Sequence, residues 1–347
     1  MLAARLGLLV LLLAACSGDD DPIASGPPAI PDPVRGPSVV GDIDGDGRAD
    51  ARDNCPSIAN RDRRRACDYP EAPVPTGDVV SDGVAHLSWT RSLVGLGPVV
   101  NDAELTHGCE IHLAYLRRRS EELGEPVLTH EEDLSLDYAS EEGNDAGIAS
   151  VLSIGRGGIA EAIDGWMGTL YHRLPLIHPG LARVGVAAGD GYACVQYAPG
   201  TDARAAAPYP ILWPPPDLVG AARAFAGSES PCPTVDDPFA GGARPGSATI
   251  ASIGLNGMGA MSDVSATLAR LDTGDVVPLF RLYYDGGPTE HEQQGYLDGT
   301  IALVPEPGST LDRAAVYEVT VDAALSGAAQ TFRWRFATGR PLPVDVP

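Results

Sequence analysis

The first sixteen residues set the compartment, and the compartment limits how the rest can fold. Met1-Leu-Ala-Ala-Arg5 is a short positive start, Leu6 to Leu13 is an almost unbroken apolar run, and Ala14, Ala15 and Cys16 follow. Such a run is too short to span a bilayer as a folded helix and reads as a secretory signal. Everything downstream is therefore expected in an extracytoplasmic space where disulfides persist. Cysteines stand at 16, 55, 67, 109, 194 and 232. With Cys16 assigned to the end of the signal, an odd set remains. Cys55 and Cys67 share one small module, Cys109 and Cys194 fall in one larger segment, and Cys232 is left over as a candidate free thiol.

The 347 residues leave room for two domains and a linker. Net charge is −23, and with no lysine present all 24 basic side chains are arginine. A strongly acidic surface without a basic stripe argues against nucleic acid, since nothing is there to release phosphate counterions. It suits a surface protein that meets divalent cations.

Composition divides the chain further. Residues 17–41 carry Asp-Asp-Asp, Pro-Pro and Gly-Pro, have little to bury, and read as a disordered tether. Residues 42–68 form a small acidic module and 69–77 a Pro-rich linker. Residues 78–202 alternate helical and strand patterns. Leu105, Cys109, Leu113 and Leu116 have helical spacing, with Asp102 as the expected N-cap. A break rich in Ala and Pro follows. Residues 209–340 hold alternating runs such as Val316 to Asp322 and Thr331 to Phe336. They suit a half-buried antiparallel sheet with Trp334 and Phe336 inward and Arg333 and Arg335 outward.

Within 42–53, carboxylates Asp42, Asp44, Asp46, Asp50 and Asp53 occupy loop positions 1, 3, 5, 9 and 12. Gly47 falls where a calcium loop turns sharply, and the Arg48 carbonyl falls at position 7. Five aspartates this close repel one another unless a cation joins them. The loop is expected to hold structural Ca²⁺. Its continuation, Asp53-Asn54-Cys55-Pro56 to Cys67-Asp68, resembles a thrombospondin type 3 repeat. That likeness implies a rigid calcium-bound spacer and a Cys55–Cys67 bridge. The ending Leu13-Ala14-Ala15-Cys16 resembles a bacterial lipoprotein box. It implies lipid on Cys16, a membrane anchor, and, with Ser17 next, an outer-membrane address.

The segment Trp166-Met167 to His172-Arg173-Leu-Pro-Leu-Ile-His178-Pro, then Val184-Gly185-Val186, resembles the CAP superfamily, also called the SCP domain. Leu105 to Leu116, Leu128-Thr-His130, Gly147 to Ser150 and Cys194-Val-Gln196 follow the family order. The likeness implies a three-layer α-β-α sandwich with an open groove. It places His130 and His172 at the family's two groove histidines. The acids depart from the pattern. Gly-Glu-Asn reads here as Gly147-Ile148-Ala149, and the acid three residues after the helix Trp reads as Thr169. Glu131, Glu132, Glu142 and Asp164 stand as candidates for the missing carboxylates. Two neutral imidazoles facing one cleft could bind Zn²⁺ weakly, with water or carboxylate completing the shell. His112 is expected in the core or at the rim, and His178 in a loop. In a secreted chain Cys109 and Cys194 are expected to tie a helix to a strand. No Gly-x-Ser-x-Gly elbow is present, so Ser150 and Ser153 are the only nucleophile candidates near a histidine.

The ending Tyr317-x-Val-x-Val with Trp334-x-Phe-x-Thr resembles bacterial Ig-like modules. The fold expected is therefore α+β: a CAP-like three-layer α-β-α sandwich plus a C-terminal all-β Ig-like sandwich. The function expected is a lipid-anchored, calcium-binding surface protein whose groove binds a small amphipathic ligand, a lipid or a metal without catalysis. The alternatives are a metal-dependent, peptidase-like hydrolase using the same histidines, and an adhesion scaffold of the envelope.

Overall fold

The computed structural model describes residues 69–207, 209–235, 245–284, 297 and 299–338. The signal with Cys16, the 17–41 tether, the calcium loop at 42–53, and Cys55 and Cys67 lie outside the described residues. Among the described residues no helix is long and apolar enough to cross a membrane.

The chain mixes helix and sheet. α1 (Val79–Ser92) starts where the Asp78 carboxylate accepts from Ser81 N–H, which satisfies an orphan donor of the first turn. β1 (Val100–Asn101) leads into α2 (Ala103–Leu123). Asp102 caps this helix by accepting from Glu104 N and Leu105 N, and Gly124 ends it in the left-handed region at φ 70°. α3 (Glu141–Ile148), β2 (Ser150–Ile154), α4 (Ile159–Met167) and the short α5 (Arg173–Leu176) follow. β3 (Arg183–Gly189) and β4 (Tyr192–Gln196) close this half. The sheet order is β1-β3-β4-β2, with β1 parallel to β3 and the other neighbours antiparallel.

Strand alternation sends side chains to two cores. Val184, Val186, Ala193 and Val195 face a core with Leu87 of α1 and Ile163 and Trp166 of α4. Ala187, Tyr192 and Cys194 face the other, with Cys109, Leu113 and Leu116 of α2. Helices therefore cover both faces of the sheet. Each fully buried Leu, Ile or Val contributes roughly 1.5–3 kcal/mol of transfer free energy. α2 lies against the backbone of β3, because a Cβ at Gly185 would collide with Leu105. Cys109 of α2 and Cys194 of β4 are joined by a disulfide, which ties the same helix to the neighbouring strand.

The second half is all strand. β5 (Ile211–Trp213), β8 (Ala251–Gly254), β10 (Leu279–Tyr284) and β11 (Thr300–Pro305) form one sheet, ordered β10-β11-β8-β5. β9 (Met261–Arg270), β12 (Ala315–Leu325) and β13 (Ala328–Thr338) form another, and β6 (Ala224–Phe225) pairs with β7 (Ser247–Ala248). Leu212, Ile253, Ile301 and Leu303 of the first sheet share one core with Leu268, Val319, Val321, Trp334 and Phe336 of the second. The β12–β13 hairpin turns through Ser326 and Gly327, both at positive φ (50° and 82°), as a two-residue loop between right-twisted strands requires.

Arg335 departs from the outward expectation. Its side chain is only 12% exposed. The segment after Pro216 runs along the edge strand β13, with Asp217 N–H donating to Arg335 O and Gly220 N–H to Ala337 O. Arg335 Nε bonds Glu318 Oε2 at 2.9 Å, and its Nη1 is buried without a partner. Arg333 keeps the expected exposure.

The halves meet at a packed seam. Leu170 and Tyr171 join Phe225, Cys232, Ile250, Ala302 and Val304 in one cluster. The first residues of the expected 69–77 linker are also seated. Tyr69 OH donates to Pro216 O, and Trp89 Nε1 donates to Pro70 O at 2.6 Å.

Candidate functional site

His130 sits in the loop before α3, and His172 sits at the entry to α5. His130 Nδ1 lies 2.8 Å from Gly147 O. A carbonyl only accepts, so Nδ1 carries the proton and Nε2 of the neutral ring keeps its lone pair. Part of His130 reaches solvent. Loss of water around its ring nevertheless pulls its pKa below the ordinary 6.5. The Gly147 bond opposes this lowering, and nearby His172 and His112 add to it.

His172 is fixed by the same logic. Its Nδ1 lies 3.0 Å from Glu229 Oε1 and 3.3 Å from Thr169 Oγ1. The Thr169 hydroxyl donates to Trp166 O at 2.7 Å, which leaves a lone pair for Nδ1–H. Glu229 is buried at 1% exposure and also accepts from His172 N and Leu170 N, each at 2.9 Å. A carboxylate is an acceptor, so His172 Nδ1 is the donor and Nε2 is the free acceptor. Both histidines are thus set in one tautomer by a partner behind the ring.

The candidate acids fall elsewhere. Glu132 is buried against His112, with Oε1 3.0 Å from Nδ1, while His112 Nε2 lies 2.9 Å from Thr129 O. Glu132 Oε2 also accepts from Ser140 N at 2.9 Å. Asp164 meets His86 Nε2 at 2.7 Å on another face. Glu131 and Glu142 are exposed. His172 is instead backed by Glu229, 57 residues further along the chain. His178 shapes its own loop, with Nδ1 accepting from Gly180 N at 3.0 Å.

Arg173, next to His172, is fully buried. Its guanidinium donates to Met167 O, Ile250 O and Ser252 Oγ and lies over the Trp213 ring. Burial pulls its pKa down to about 9, and the charge of Glu229 opposes that shift. Arg91 is similarly buried and donates to four carbonyls, those of Gly97, Leu176, His178 and Leu181. It holds the loop after α5 against the end of α1.

No family model matches the chain, and no curated protein matches it. Two solved structures align over 37% of it. One is an extracellular protein containing a SCP domain from Bacillus anthracis, at 12% identity, TM-score 0.29 and 45% of that chain. The other is a cysteine-rich secretory protein from Staphylococcus aureus, at 15% identity, TM-score 0.24 and 40% of that chain. This chain thus spans under half the length of each, and such scores carry neither protein's properties across.

The hydroxyls of both nucleophile candidates are buried. Ser150 is buried, its hydroxyl donating to Ala146 O and lying 3.3 Å from Cys194 Sγ. Ser153 Oγ is buried without a partner. Among the described residues no group of three or more His, Cys, Asp or Glu is placed to hold a metal ion. A resident zinc site takes three or four protein ligands. Here the donor set is two imidazoles, since Glu132 and Glu229 are spent on buried hydrogen bonds. These residues do not fit a resident zinc.

Proposed function

We propose that this chain is a lipid-anchored, extracytoplasmic binding protein whose CAP-like module takes a small amphipathic ligand between His130 and His172. A calcium-bound spacer at 42–53 and an Ig-like C-terminal sandwich would present it. The observation that carries this reading is the matched pair of tautomers. Each imidazole spends Nδ1–H on a partner behind it and offers Nε2 as an acceptor. Such a pair suits a ligand bearing hydroxyl or ammonium donors. The segments around His130 also hold exposed Leu128, Leu134 and Ile148, at 45%, 54% and 54%. Apolar side chains flanking polar acceptors suit an amphipathic ligand. A transition metal on the same two nitrogens would exchange readily, with water completing its shell.

Hydrolysis is the weaker reading. It requires a carboxylate base within reach of the reacting water. The buried carboxylates Glu132 and Glu229 are already engaged in buried hydrogen bonds, to His112 and Ser140 N and to His172 and Leu170 N.

Native mass spectrometry of the chain with Cys16→Ser, made in an oxidising compartment, tests the proposal. The expected result is a retained organic ligand in addition to Ca²⁺, absent from the His130→Ala/His172→Ala chain. A chain that retains calcium alone, in both forms, would remove the binding reading.

A further inference from the structure

We infer that Glu229, carried by the C-terminal half, is the positioning residue of the groove: it fixes His172 so that Nε2 faces outward. The inference rests on the groove reading above. It makes the C-terminal half part of the site rather than a spacer behind it.

The argument is one of hydrogen-bond inventory. A buried carboxylate must be surrounded by donors. Glu229 finds Leu170 N–H, His172 N–H and His172 Nδ1–H at 2.9, 2.9 and 3.0 Å. The two backbone donors lock the carboxylate onto the turn that carries His172. The third bond then dictates the imidazole's tautomer. Arg173, one residue on, adds compensating positive charge and ties the same turn to Ile250 O and Ser252 Oγ. Thr169 stands where the CAP resemblance places an acid, and its hydroxyl lies beside the same nitrogen at 3.3 Å. The carboxylate has in effect moved from the helix to a partner segment. His172 Nε2 makes no hydrogen bond among the described residues, yet it is not among the enclosed, unpartnered atoms. It therefore retains contact with solvent.

A role confined to holding the two halves together would survive any change that keeps the buried hydrogen bonds. A positioning role would not, because it depends on which nitrogen carries the proton. The experiment uses the ¹⁵N-labelled full chain with Cys16→Ser. Long-range ¹H–¹⁵N correlation reads the His172 tautomer above its titration range, and mass spectrometry reads carbethoxylation of His172 by diethylpyrocarbonate. Wild type is expected to hold the Nδ1–H tautomer and to react at Nε2. Glu229→Gln is expected to lose the single tautomer and most of the His172 labelling, while His130 keeps both. Adding Thr169→Asp to Glu229→Gln returns a carboxylate to the nitrogen and is expected to restore the tautomer. A wild-type His172 protonated on Nε2 overturns the inference. So does an unchanged tautomer and labelling in Glu229→Gln. Should Glu229→Gln not fold, the wild-type tautomer alone decides. Failure of the groove to retain any ligand in native mass spectrometry would sink the binding reading and leave this test standing.

Discussion

Two titrating residues pull stability in opposite directions with pH. Asp217 stands at φ 58°, half-buried in the segment that runs along β13. Burial pushes its carboxyl up from 3.8 to about 6, and the charge of Arg335 opposes this only in part. The folded state therefore holds the proton after the unfolded chain has lost it. Stability is full below about 4 and is lost as pH rises through 6. Asp217→Asn tolerates the same backbone and removes the charge. It should stabilise the chain by about 2 kcal/mol at pH 7 and by nothing at pH 4, read from thermal melts. An equal gain at both values would refute the assignment. His130 has the reverse sign. Its folded pKa lies below 6.5, so the stability it lends is present above that value and is lost on acidification. The Nε2 acceptor consequently persists to more acidic pH than in a free imidazole. An NMR titration that places the His130 imidazole at or above 6.5 would contradict this.

At the scale of elements, α3 is held where it is by its glycines. A Cβ on Gly147 would collide with His130 O and the His112 ring. Gly147→Ala should cost roughly 2 kcal/mol through overpacking, and it should also shift the carbonyl that fixes His130 Nδ1. Denaturant melts and the His130 tautomer check the two parts separately. The helix α2, with its Asp102 cap, and the β12–β13 alternation could be read from the sequence because their signals are local. Caps, periods and two-residue turns are written within a few positions. Arg335 could not be read in this way. The pleat alone would send it to solvent, and the segment that runs along β13 at Asp217 comes from far back in the chain. Glu229 was equally illegible. It sits in a Gly-Ser-Glu-Ser-Pro run that looks like any polar loop, and its partners lie 57 and 59 residues back. Its one visible trace was indirect: the hydroxyl of Thr169 in a place where the CAP resemblance implies an acid. The roles of Arg91 and Arg173 were not legible either, since most of their acceptors, Leu176 O, His178 O and Leu181 O for one and Ile250 O and Ser252 Oγ for the other, lie 77 to 90 residues along the chain.

For the molecule as a whole, the seam is the feature that unites the two halves. Arg173 reaches Met167 O on one side and Ile250 O on the other with one planar fork. Lysine cannot reproduce that geometry. Arg173→Lys should weaken the coupling by roughly 2 kcal/mol and divide one calorimetric transition into two. A single transition at an unchanged midpoint would show that the halves do not depend on this contact. The seating of Tyr69 and Pro70 has a mechanical side. Tyr69 grips Pro216 of the C-terminal half, and Pro70 is gripped by Trp89 of α1. A pull arriving from the N-terminal side is therefore shared between both halves at its point of entry. Neither half would be peeled from the other, and the histidine pair would keep its geometry while the chain is under load.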